Sequence, residues 1–149
     1  MFAHAIELMN RSPLTFAPDT PIRDVMETLL AKKLDGVCVV EGEALLGVVT
    51  VMDLLFQERQ VKASGFIARL LDRKALERVT AQKVSEIMSE DPVTVEPAAD
   101  LEELATLMVD RSFTILPVVK DGVLLGVIDK WSVLDAISGE GVSDEPTHG

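Results

Sequence analysis

This chain of 149 residues is poor in the groups on which most catalytic and metal-binding signatures rest: it has one cysteine, two histidines, one tryptophan, five phenylalanines and no tyrosine. A lone Cys38 excludes an intramolecular disulfide and fits a reducing compartment. It sits in a hydrophobic run, where a thiol behaves as inert core. His4 and His148 lie near opposite ends, and no Cys, His and carboxylate residues share metal-ligand spacing, so no metal site is expected. Nucleophile motifs and phosphate-cradling glycine loops are missing too, so the chain reads as a non-enzyme. Bases are scarce: 14 Lys and Arg against 25 Asp and Glu leave a net charge of −11. That balance argues against nucleic acid, whose backbone requires a basic face, and against an anionic membrane surface. Apolar stretches such as Ala44–Val49 are far too short to cross a bilayer, and Met1–Met9 has no signal-peptide core. A cytoplasmic location is therefore expected.

What the chain does have is itself, twice. Shifted by 79 positions, Glu7–Phe56 falls on Glu86–Asp135 without a gap, and 12 of the 50 aligned pairs are identical. They include Met9/Met88, Thr15/Thr94, Val39/Val118, Leu46/Leu125 and Gly47/Gly126. A fixed period of this kind marks a duplicated supersecondary unit. The copies also control each other: a polar group present in only one is not required by the fold. With 48% apolar residues the chain can bury a sizeable core, although each half alone would be marginal. The organisation is repeat 1 over 1–56, a helical connection over 57–82 broken near Gly65, repeat 2 over 83–138, and a polar, disordered tail over 139–149.

In repeat 1, Leu14-Thr15-Phe16 reads as a short strand. Thr20 reads as an N-cap with Pro21 at the first helical position. Ile22, Val25, Met26, Leu29 and Leu30 recur at helical spacing over Pro21–Lys33. Gly36–Val40 and Leu45–Val49 form a hairpin about Glu41-Gly42-Glu43, and a second helix opens near Thr50. Repeat 2 follows with a strand at Val93–Val95 and a helix capped by Asp100 and Glu103. Ile115–Val119 and Leu124–Ile128 pair across Lys120-Asp121-Gly122, and Ser132–Ile137 closes the unit. The fold class is α+β, with two pseudo-symmetric β-α-β-β-α repeats.

This ordered series, twice over Ala5–Ser138, resembles a tandem pair of CBS domains, the cystathionine-β-synthase type of regulatory module. Its marks are "LMNRSPLTFAPDTPIRDVMETLLAKKLDGVCVV" with "LLGVVTVMDLL", and "IMSEDPVTVEPAADLEELATLMVDRSFTILPVV" with "LLGVIDKWSVLDAI". The resemblance implies two clefts between the repeats that take adenosine-containing ligands such as AMP, ADP, ATP, NAD or S-adenosylmethionine. It also implies a flat homodimer formed through helices such as Pro21–Lys33 and Asp100–Arg111, and an unidentified regulated protein as a further partner. A stand-alone sensing module follows, with a ligand-free dimerisation scaffold as the alternative.

The family's adenosine motif matches Gly47-Val48-Val49-Thr50-Val51-Met52-Asp53 in full. A carboxylate at Asp53 suits the adjacent hydroxyls of ribose, and Thr50 suits the ribose or a phosphate. Local physics leaves a second reading open, since Thr-x-x-Asp at a helix start is also a capping box. The resemblance completes this cleft with Thr94, Val95, Thr114, Ile115, Leu116 and Pro117 of the other repeat. Copy 2 departs from the motif, with Asp129 and Ser132 where copy 1 has Thr50 and Asp53, so the second cleft is read as degenerate. Trp131 beside it is read as interface packing rather than a stacking platform. The bases Arg11, Arg23, Lys33, Arg111 and Lys130 are read as solvated surface charges.

Overall fold

The computed structural model describes residues 3–56 and 82–143. The expected helical connection lies outside the described residues except for Gln82, as does the tail from 144. The elements are α1 (Ala5–Leu8), β1 (Thr15–Phe16), α2 (Ile22–Lys32), β2 (Gly36–Glu41), β3 (Ala44–Thr50) and a helix α3 described over 51–56. After a 3-10 turn at Val84–Glu86 come α4 (Leu101–Asp110), β4 (Ile115–Lys120), β5 (Val123–Asp129) and α5 (Lys130–Ser143). The fold is α+β. Helix α5 extends past Ser138, into the stretch that composition marks as tail.

The compact units do not coincide with the sequence repeats. One is built from residues 14–92, the other from the residues before 14 together with those after 92. The opening segment of each repeat therefore lies with the body of the other.

In the unit of residues 14–92, β2 and β3 pair antiparallel from Gly36↔Thr50 to Glu41↔Ala44. The turn is tight, and Gly42 takes φ of 62°, which only glycine adopts freely. Leu46 is an unopposed bulge between the Val39↔Gly47 and Val40↔Leu45 pairs. β1 adds to β2 in parallel through Thr15↔Cys38 and Phe16↔Val39. Helix α2 buries Ile22, Val25 and Leu29, the stripe its spacing predicts. Val25 and Leu29 join Val37, Val39, Val49 and Val84 in one core. The helix begins a residue later than the sequence indicates: Pro21, not Thr20, is the N-cap. Thr20 is engaged elsewhere, its carbonyl accepting from Val84 N at 2.8 Å.

The other unit repeats the plan. β4 and β5 pair from Ile115↔Asp129 to Lys120↔Val123, with Leu125 as the matching bulge and Asp121 and Gly122 at φ of 53° and 79° in the turn. Asp100 caps α4, its Oδ1 accepting from Glu103 N at 2.9 Å as expected. The strand expected at Val93–Val95 shrinks to one parallel bridge, Val95↔Val118. The cause is Pro117, which replaces Cys38 and has no N–H for the rung equivalent to Thr15–Cys38. Leu101, Leu104, Leu116, Val118, Ile128 and Val133 form the core with Ala5 and Met9 of the opening segment.

Both units receive their borrowed segment in the same way. Asn10 exchanges backbone hydrogen bonds with Val127 at 2.9 and 3.1 Å, and Ser89 does so with Val48 at 2.9 and 3.2 Å. Beneath each bridge lies a glycine. A Cβ on Gly126 would come within 2.7 Å of Asn10 O and of Met9 Sδ, and one on Gly47 within 2.6 Å of Ser89 O and 2.7 Å of Met88 Sδ. The Met9/Met88 and Gly47/Gly126 identities are the two halves of one contact. Gly47→Ala and Gly126→Ala are each expected to cost about 1–3 kcal/mol, the range for overpacking. Gly139→Ala, with nothing within 4 Å of the new Cβ, should instead stabilise α5 by roughly 0.5–1 kcal/mol. Urea unfolding of the three variants checks both signs.

Candidate functional site

Thr50 is the last residue of β3 and stands opposite Gly36, the first of β2. The chain turns there directly into α3, and the junction is fastened from three sides. The backbone N–H of Val51 donates to the Asp35 carbonyl at 2.9 Å. The Thr50 N–H and hydroxyl both donate to Asp53 Oδ2, at 2.8 and 3.1 Å. The Asp53 N–H donates back to Thr50 Oγ1 at 3.3 Å. This is a reciprocal capping box, so the capping reading of Thr-x-x-Asp is realised. It uses one carboxylate oxygen. Asp53 is half-buried, and its Oδ1 has no partner among the described residues.

The equivalent junction after β5 has inverted chemistry. Lys130 N donates to the Thr114 carbonyl at 3.1 Å, matching Val51 and Asp35. Here the carboxylate comes first: Asp129 Oδ1 accepts from Ser132 N at 2.8 Å. Asp129 thus acts as an ordinary N-cap, and Ser132 presents only a hydroxyl where copy 1 presents a carboxylate. The carbonyls of Asp35 and Thr114 escaped the sequence reading. Their signal was positional, since each immediately precedes the first residue of a hairpin.

Of the residues named from sequence, Thr50 and Asp53 come together in the unit of residues 14–92. Thr94, Val95, Thr114, Ile115, Leu116, Pro117, Asp129 and Ser132 belong to the other. Within that unit Val95 N donates to the Pro117 carbonyl at 2.9 Å, which brings Thr94 and Val95 beside β4. Leu116 and Pro117 are fully buried, so their side chains are committed to the interior. Thr94 is exposed and Thr114 half-buried.

Among the described residues, Arg11, Arg23, Arg111 and Lys130, all read as solvated charges, have partners. Arg11 donates to the Ile6 carbonyl at 3.3 Å. The Arg111 guanidinium lies 5.6 Å from the Phe113 ring centre, and the Lys130 ammonium 5.5 Å from that of Trp131. Among the described residues, no three His, Cys, Asp or Glu side chains are grouped to hold a metal, and no helix is long and apolar enough to cross a membrane. Exposed apolar side chains concentrate on α3 and α5 rather than on α2 and α4. Met52 and Trp131, at equivalent positions, are 70% and 64% exposed, and Leu55 and Leu134 are 50% and 56% exposed, whereas α2 and α4 expose only Leu30 and Val109.

Cys38 is fully buried in β2, and desolvation pushes its thiol up to about 12 from 9.0. The unfolded chain gives up this proton first, so the stabilisation is complete below pH 9 and is lost as pH rises toward 12. The native protein should resist an aromatic disulfide reagent at pH 8 and react at once in urea. Above pH 9 the stability of wild type should fall more steeply than that of Cys38→Ala, as pH-dependent urea titrations would show.

Comparison with known proteins places the chain in company. The CBS domain family matches it twice, over residues 5–58 and 84–139. A CBS domain-containing protein of Dictyostelium discoideum is 32% identical over 133 residues, covering 88% of each chain. The chloroplastic CBSX2 of Arabidopsis thaliana is 29% identical over 133 residues, and this chain spans 56% of its length. The crystal structure of CBSX2 in complex with AMP superposes with a TM-score of 0.74 at 26% identity, covering 93% of this chain and 98% of that one. The crystal structure of AcuB from Vibrio cholerae also gives 0.74 at 27% identity, covering 98% of this chain and 100% of that one.

Proposed function

The chain belongs to the CBS domain family, and from that premise we propose that it is a non-catalytic regulatory module that takes an adenosine-containing ligand at the Thr50–Asp53 junction. The observation that carries this reading is the division of labour within one carboxylate. Asp53 Oδ2 closes the helix cap, while Oδ1 of this half-buried residue is left to accept from a ribose hydroxyl. Arabidopsis CBSX2, solved with AMP, supports the ligand class. The Asp129–Ser132 junction has no carboxylate at the corresponding place and takes no ribose. Occupancy then alters how the protein meets its regulated partner. With its single thiol buried and unpaired, the chain suits the cytoplasm.

Dimerisation belongs to the same proposal and is the whole of the alternative, a ligand-free scaffold. The exposed Met52, Leu55, Trp131 and Leu134 supply the specific observation. Apolar residues at equivalent positions of two repeats suit a symmetric, two-fold interface. We assign it to α3 and α5 of a second copy of this chain.

Two measurements test these readings. Loss of a hydrogen bond to a charged group costs about 1.5–3 kcal/mol, so Asp53→Ala should weaken adenosine-ligand binding by about ten- to a hundred-fold in calorimetry, and Ser132→Ala by less than about two-fold. The reverse ranking sinks the assignment of the site. Light scattering should give twice the chain mass for wild type and a smaller assembly for Trp131→Glu. A wild-type monomer at tens of micromolar, roughly the concentration at which a stable dimer is saturated, contradicts the interface.

A further inference from the structure

The contact of methionine over glycine is made twice but shielded once. Met9 is 9% exposed and belongs to the core around Leu116. Its counterpart Met88 is half-buried and packs against the core around Val39 without being enclosed in it. The sulfur of Met88 stands where the strand side has no room for another atom, since a Cβ on Gly47 would lie 2.7 Å from it. The next residue, Ser89, makes both backbone bonds to Val48, at 2.9 and 3.2 Å. The bridge is thus seated by the thioether one residue before it.

A thioether reacts with a hydroperoxide without first losing a proton. Its lone pair attacks one peroxide oxygen, and the S–O bond forms as the O–O bond breaks. Sulfur gives up two electrons. The proton on the transferred oxygen passes to the departing hydroxide or alkoxide, which leaves as water or an alcohol. The product is a polar, chiral sulfoxide in place of a flexible apolar chain. Its oxygen has no room toward Gly47 and requires a donor or water, so it draws the side chain outward. Cys38 does not compete, being fully buried with its thiol pushed up by desolvation.

We infer that Met88 is an oxidation site for hydroperoxides, whose sulfoxide releases the Ser89 end of segment 83–89 from β3. The wild-type protein would be treated with hydrogen peroxide, sulfoxides mapped by mass spectrometry and amide hydrogen exchange followed by NMR. Met88 should oxidise at least about tenfold faster than Met9, because access sets susceptibility. As Met88 is converted, exchange at the Ser89 and Val48 amides should quicken by about tenfold or more, and that at Asn10 and Val127 should not. Methionine sulfoxide reductases acting on both epimers should restore slow exchange. Met88→Leu, which nearly conserves volume, should keep exchange slow after peroxide. Met26→Leu, on α2 of the same unit and also half-buried, should give no protection. Where Met88→Leu loosens the bridge by itself, the wild-type time course decides. Met9 oxidising as fast as Met88, unchanged exchange at Ser89 and Val48 once Met88 is converted, failure of the reductases to restore it, or protection by Met26→Leu overturns the inference.

Discussion

The structure depends on an exchange. Residues 4–10 of the first repeat are bridged to Asp100 and Val127 of the second, and residues 83–89 of the second to Pro21 and Val48 of the first. Each contact consists of a two-bond backbone bridge with a methionine over a glycine, so it can form only where no Cβ intervenes. A second fastening anchors each segment farther back. Ala5 N donates to Ala99 O, and Ile22 N to Gln82 O, both at 2.8 Å. Neither repeat completes its core alone: the cluster around Leu116 includes Ala5 and Met9, and the cluster around Val39 includes Val84. This answers the problem of two halves of marginal size, each too small to bury enough apolar surface unaided. Two bridges of one pattern, related by the offset of 79, make the duplication a structural requirement.

The same economy shapes the strand-to-helix junctions. In both repeats the carbonyl preceding the hairpin receives the first helical N–H, and a carboxylate receives one more. A capping carboxylate and a ligand-gripping carboxylate are usually set against each other as alternatives. At Asp53 they are compatible, because a carboxylate has two oxygens and the cap occupies one.

Duplication supplies an internal comparison. The shared features, namely the bulges at Leu46 and Leu125, the glycines beneath the bridges and the junction carbonyls, belong to the fold. The unshared ones carry individuality. Asp53 against Ser132 changes what a ligand would meet, and Cys38 against Pro117 shortens a strand to a bridge. The exposed pairs Met52/Trp131 and Leu55/Leu134 form a third class, alike in hydrophobicity although not demanded by either core.

The sequence by itself determined everything that is local. Helical spacing placed α2 and α4, β-branched runs with Asp-Gly and Gly-Glu turns placed the hairpins, and Asp100 announced its own cap, because each of these depends on neighbours within a few residues. The fixed offset announced the duplication and, with the family's motif, pointed to Thr50 and Asp53. Tertiary structure decided what depends on distant partners. Thr20 yielded the cap to Pro21 because its carbonyl receives Val84 N, and Val95 lost its strand neighbours because Pro117 has no N–H to give. The opening segments crossed to the opposite repeat, although Met9, Met88, Gly47 and Gly126 stood in plain sight as identical pairs. A one-dimensional pattern records that two residues are constrained, but not that they constrain each other. That information resides in the close approach of backbones, where the absence of a side chain is the contact.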